Sequence, residues 1–162
     1  MKQTIIGTII LFAIGFFFLG DDDRPARKSL TNEDGEVEEV MDPKQIAKEI
    51  DAECEEMLKG DDFAEARAWC DPKNANHVGF EMSTKDMLKL ANDLYAAGAT
   101  KVYVADIIEL GAKKTSATMV VQLPKDPNAR AKVLAREKEF EESEGGEGSP
   151  DVGQKYLLMT LD

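Results

Sequence analysis

Hydrophobic and polar residues divide the chain into three stretches. An unbroken apolar run occupies residues 5–19, and three aspartates follow it at 21–23. Residues 21–42 show no apolar periodicity, whereas from residue 43 onwards apolar positions recur at helical or strand spacing. The pattern predicts a signal-anchor or transmembrane segment at 1–20, an acidic flexible linker at 21–42 and a soluble α+β domain at 43–162.

The apolar run is short for a transmembrane helix. As a helix it would span about 23 Å, against about 30 Å for the hydrocarbon core of a bilayer. A cleaved signal needs small residues just before its cleavage site, and cleavage after Gly20 would place Phe18 at the −3 position. We therefore favour an uncleaved anchor that contacts membrane lipid through residues 4–20, over a cleaved signal or a buried helix.

The basic residues around the run give opposing indications of orientation. Arg24, Arg27 and Lys28 follow it and favour a cytoplasmic domain. The very short N-terminal tail and the likeness to a secretory signal favour export. We expect a single-pass protein of the cell membrane whose soluble domain is extracytoplasmic.

Two helices are predicted at the start of the domain. Asp42 caps the first, Pro43 occupies its first turn, and Gly60 ends it. Asp61 or Asp62 would cap a short second helix over 63–70. Residues 58–66 resemble the helix–turn–helix of a tetratricopeptide-type repeat, but for one turn only, so we predict a helical hairpin and no repeat array. The apolar stripe of the first helix consists of Ile46, Ile50, Cys54, Met57 and Leu58.

The remaining residues alternate between strand and helix patterns. Strands are predicted at 77–82, 101–110, 115–123 and 156–161, with a turn at 111–114. One helix starts after Ser83 and ends at Gly98; another starts after Asp126 and runs to about 142. The buried stripes of these helices are predicted to be Met87, Leu90, Ala91 and Leu94 in the first, and Ala129, Val133 and Phe140 in the second.

This order, βαββαβ, is that of the ferredoxin-like fold. Right-handed crossovers would place both helices on one face of an antiparallel sheet. The helical hairpin would then pack against that unit as an extension. The main alternative is a cone-shaped α+β fold whose first helices lie in the concavity of a curved sheet.

The net charge of −12 is unevenly distributed. Residues 21–42 carry nine acidic and three basic residues, and residues 137–149 carry six and one, whereas residues 43–136 carry fifteen and fourteen. The acidity therefore belongs mainly to the linker and to a late loop. Repulsion from phosphates argues against nucleic acid as a partner.

Few residues suggest chemistry. His77 is the only histidine and has no second ligand at metal-binding spacing. Cys54 and Cys70 lack the paired spacing of a zinc or redox motif. In a helical hairpin they would lie near each other but offset by about 6 Å. We expect buried, neighbouring and unbonded thiols, with a disulfide as the alternative.

Other candidates fit structural roles better. Trp69 is expected in the core, and the glycine-rich residues 144–149 lack the ending of a phosphate-binding loop. Asp106 and Glu109 would point to opposite faces of a strand, which makes them a poor acid–base pair. Lys113 and Lys114 form an exposed basic spot at a hairpin tip. The sequence thus assigns no catalytic, cofactor-binding or metal-binding residue.

The function expected from these observations is a membrane-tethered binding or accessory domain without catalysis of its own, with a protein partner. The alternative is an extracytoplasmic hydrolase whose metal-bound carboxylates come together only in the tertiary structure.

Overall fold

The computed structural model describes residues 28–31, 37–40, 42–74, 76–78, 82–111 and 113–161. The predicted anchor lies outside them. Of the part described, no helix has the length and apolar character needed to cross a membrane. Within the predicted linker, β1 (Lys28–Thr31) and β2 (Val37–Val40) pair antiparallel as a separate two-stranded sheet.

The domain continues with four helices and seven strands in the described residues. In chain order they are α1 (Pro43–Met57), β3 (Ala64–Glu65), α2 (Ala66–Trp69), β4 (His77–Val78), α3 (Thr84–Ala97), β5 (Lys101–Ala105), β6 (Ile108–Leu110), β7 (Lys113–Ser116), β8 (Thr118–Gln122), α4 (Pro127–Ser143) and β9 (Tyr156–Thr160).

The predicted helix caps are confirmed for α1, α3 and α4. The side chains of Asp42, Ser83 and Asp126 accept hydrogen bonds from backbone N–H groups of the first turn, at 2.8–3.1 Å. Gly98 ends α3 with a φ of 117°, a conformation that favours glycine. Local side chains therefore determine where these helices begin and, for α3, where it ends.

The central sheet has the strand order β3-β5-β8-β9, and all its pairs are antiparallel. Successive side chains of a strand point to opposite faces. One face carries Val102, Val104 and Val121, which pack with α2, α3 and α4. The other face carries Ala105 and Val120, which pack with α1. The chain therefore forms three layers, with α1 on one side of the sheet and the other helices opposite.

The predicted α+β class is confirmed, but the ferredoxin-like strand order is wrong. That order would place the first strand, at 77–82, between the last two strands of the motif. Instead β8 pairs directly with β9, and β4 pairs in parallel with β7 in a second sheet of order β4-β7-β6. The placement of the two long helices on one face is confirmed, because α3 and α4 both pack on the Val102 side. The cone-shaped alternative does not match, because helices cover both faces.

The predicted helical hairpin at 43–70 is also wrong. Residues 64–65, expected within the second helix, form β3 on the edge of β5, and the chain crosses from one face of the sheet to the other there. The short helix α2 is capped by Glu65, whose carboxylate accepts from Ala68 N at 3.0 Å, and not by Asp61 or Asp62. A two-residue strand has too few positions to show a period, so the pattern gave no signal for it.

Candidate functional site

β6, Gly111 and β7 form a hairpin that extends β5 and β8; we call it the distal hairpin. It continues β5 and β8 in one unbroken register, from Lys101 opposite Gln122 to Leu110 opposite Lys113. Gly111 adopts a φ of 65°, as a two-residue hairpin turn requires. The predicted pairing of the two strands as a hairpin is confirmed.

A bend separates the distal hairpin from the central sheet. Asp106 has a φ of 50°, and the ladder is interrupted there and at Ala117. The buried Ser116 spans the interruption: its hydroxyl donates to Ala105 O and accepts from Thr118 N at 3.0 Å. The Ser116 side chain therefore bridges the junction between the two sheets.

The distal hairpin carries two large apolar side chains that are exposed. Ile108 is 56% exposed and Leu110 63%, and no other large apolar side chain of the described residues is comparably exposed. They are two residues apart on one strand, so they share a face with their cross-strand partners Thr115 and Lys113. Contiguous exposed apolar groups of this kind mark interaction surfaces more often than isolated ones do.

The outer edge of β6 is open in the part of the chain that the structure describes. β6 ends the order β4-β7-β6, so no described strand pairs with its other side. Ile107 N points to that side, because it donates to Asp62 O at 3.0 Å. Outward N–H groups alternate along a strand, so Glu109 also directs its N–H and C=O outwards.

Charged residues lie at both ends of this edge. Glu109 and Lys114 form an ion pair at 3.1 Å, with side chains 70% and 54% exposed, which adds little to stability. Asp61 and Asp62 are exposed where β3 stops covering the edge. The open edge thus has Asp61 and Asp62 at its inner end. Lys113 and Lys114 lie on the neighbouring strand, β7, near the hairpin tip.

The distal hairpin lies at the opposite end of the central sheet from Asp42, the residue that caps α1. Asp51 of α1 accepts from Lys155 N and Tyr156 N at 2.6 and 3.2 Å, at the end of the sheet where β5 and β9 begin. The chain after α1 reaches the other end, where Asp62 meets Ile107. Asp42 therefore lies at the first end, with Lys101, whereas Leu110 lies beyond the bend at the other end.

The two cysteines are buried and free, as expected, but they are not neighbours. Cys54 packs with Ala105 and Val120 on one face of the central sheet, and Cys70 packs in the cluster on the other. The sheet between them excludes the disulfide considered from the sequence. Burial raises the pKa of Cys54 to about 12 and that of Cys70 to about 11, so both thiols are unreactive.

The other sequence candidates do not converge on one site. His77 belongs to β4, and the structure describes its backbone but not its side chain. Trp69 is buried in the core as predicted, with no hydrogen-bond partner for Nε1 among the described groups. Asp106 lies at the bend and Glu109 pairs with Lys114. No group of three or more potential metal ligands occurs in the described residues.

A partly buried polar network that the sequence did not reveal holds the loop after α4. Glu137, 1% exposed, accepts from Ser149 N at 3.0 Å and from Ser149 Oγ at 2.6 Å. Arg130 bonds the carboxylate of Asp151 at 2.6–3.0 Å and also Gln154, and it lowers the pKa of Asp151. These groups satisfy one another, so the network acts as a brace for the glycine-rich loop.

Comparison with models of known families, with curated proteins and with solved structures finds no match to this chain.

Proposed function

We propose that this protein is a single-pass membrane-tethered domain without catalysis of its own, which binds a protein partner through its distal hairpin. The continuous apolar run at 5–19 supports the tether, and Phe18 at the −3 position for cleavage after Gly20 supports an uncleaved anchor. The observation that carries the binding role is the exposed pair Ile108 and Leu110 on a strand whose outer edge pairs with no described strand.

The charge of the molecule supports a protein partner over anionic lipid and nucleic acid. Asp61 and Asp62 are exposed at the inner end of the edge, and the net charge of the chain is −12. Both features disfavour contact with phosphate groups.

We place the domain outside the cytoplasm, in keeping with the signal-like N-terminal segment. Protease added to intact cells should then remove the domain and leave the anchor behind. Protection of the domain in intact cells, together with digestion after lysis, would place it inside.

Site-specific photo-crosslinking in native membranes tests the binding role. A photoreactive amino acid at Leu110 should give a discrete crosslinked protein, and one at Ala135, an exposed position of α4, should not. Adding Ile108→Ser should abolish the product. The same products from both positions, or a product unaffected by Ile108→Ser, would contradict a partner site at the distal hairpin.

A further inference from the structure

We propose that β6 binds an extended segment of the protein partner as an added strand, and that this segment carries a basic residue beside Asp61 and Asp62. The inference rests on the proposed function and specifies the chemistry of the partner. It follows from the pairing of β3 with β5 on the inner part of the same edge.

The inner part of this edge is already covered by strand pairing. β3 pairs with β5 at Ala64 opposite Val104, and Asp62 O extends the contact to Ile107 N. The chain turns away before it reaches β6. An added segment would therefore continue the line of β3 and bond to the outward N–H and C=O of Glu109.

The side chains of β6 indicate the pattern of the segment. Ile108 and Leu110 point to one face, so a paired strand would place aliphatic side chains at alternate positions beside them. Burying these exposed groups supplies the apolar contribution. Because β6 has only three residues, the backbone contribution is small, and the side chains must determine which segment binds.

Asp61 and Asp62 indicate the charge expected at the C-terminal end of the segment. In an antiparallel arrangement the added strand runs from the hairpin tip towards Asp61 and Asp62, so its C-terminal end lies beside these carboxylates. Both are exposed, and neither belongs to an ion pair among the described residues. A lysine or arginine there would complement them, whereas a carboxylate would be repelled.

The test uses the full-length chain in lipid nanodiscs and a fluorescent peptide, acetyl-Thr-Val-Thr-Val-Thr-Lys-Lys-amide, followed by anisotropy. Glu109→Pro removes the outward N–H, and an edge strand tolerates proline at such a position. Glu109→Gln keeps the N–H and removes the same charge. We expect Glu109→Pro to weaken binding about tenfold or more and Glu109→Gln to change it little.

Backbone methylation of the peptide keeps the test independent of the stability of the variant. Two peptides, N-methylated at the odd or at the even residues, should differ in binding. Methylation of the N–H groups that face β6 should abolish binding, and methylation of those on the other edge of the added strand should leave it unchanged. Equal binding of the two methylated peptides, or equal affinities of Glu109→Pro and Glu109→Gln, would overturn strand addition.

The charge assignment has its own controls. A peptide ending in Glu-Glu should bind at least about tenfold more weakly than the lysine peptide, and Asp61→Asn with Asp62→Asn should reduce that difference. Equal binding of both peptides would overturn the basic residue. A crosslink at Leu110 without strand addition would leave the proposed binding role intact and refute only this inference.

Discussion

The central sheet and the second sheet, β4-β7-β6, are joined by the hairpin at 101–122, which keeps one register throughout. The surroundings of the two sheets nevertheless differ. Val102 and Val104 of β5 are fully buried between helices, whereas Ile108 and Leu110 of β6, with the same spacing, are mostly exposed. Both stretches show the apolar alternation of a strand. The difference teaches that alternation predicts the strand, while the helices packed above it decide whether its apolar face is covered.

The largest effect on stability is expected from placing a carboxylate in each sheet. Val121→Asp should destabilise the protein by about 3–5 kcal/mol, because it buries an unpaired charge. Leu110→Asp should change stability by less than about 1 kcal/mol, because the side chain stays in water. Urea unfolding of the fragment 42–162, followed by circular dichroism, measures both.

That fragment is expected to unfold cooperatively, since both described apolar clusters lie within it. Similar losses from Val121→Asp and Leu110→Asp would show that the distal face is covered in solution, and the contrast between the sheets would fail.

A smaller effect is expected at the junction. Ser116→Ala removes the hydroxyl that bonds Ala105 O and Thr118 N and leaves buried backbone groups unsatisfied, at a cost of about 1–2 kcal/mol. Ser143→Ala is the matched control, because Ser143 Oγ bonds Phe140 O on an exposed helix end. Urea unfolding should show less than about 0.5 kcal/mol for the control; equal losses would mean that Ser116 does not hold the junction.

An effect of similar size concerns the buried thiols of the two core clusters. Their pKa values in the folded state are raised from 9.0 to about 12 for Cys54 and about 11 for Cys70. Their contribution to stability is therefore complete below pH 9 and is lost as the pH rises towards these values. At pH 10 the loss should be about 1 kcal/mol per thiol.

Unfolding at pH 8 and pH 10 measures this loss, and replacement of both cysteines by alanine should reduce the pH dependence. Alkylation adds a check on topology: both thiols should react only after unfolding, with or without reductant. Reaction that requires prior reduction would establish a disulfide and contradict their positions on opposite faces of the sheet.

The sequence predicted most of the helices and the long hairpin because their signals are local. The caps at Asp42, Ser83 and Asp126 and the stripe Met87, Leu90, Ala91 and Leu94 all lie where expected. A cap or a stripe depends on residues a few positions apart, so it can be read without knowledge of the partner elements.

The strand order and the candidate site depended on distant contacts. The predicted ferredoxin-like order fails because β9 pairs with β8 and because β4 pairs with β7 in the second sheet. Glu137 is buried although its helix pattern gives no reason for it; Ser149, twelve residues away, provides the reason. Likewise, nothing in Ile108 or Leu110 themselves indicates that no described element covers them.

The unbroken register of the 101–122 hairpin has a consequence for how such a protein changes over generations. Adding two residues to each arm of the distal hairpin would extend its reach by about 7 Å and keep every existing side chain on its face. A single inserted residue would instead turn the apolar side chains beyond it to the other face. The length of this projection is therefore adjustable in paired steps, without any change to the core that supports it.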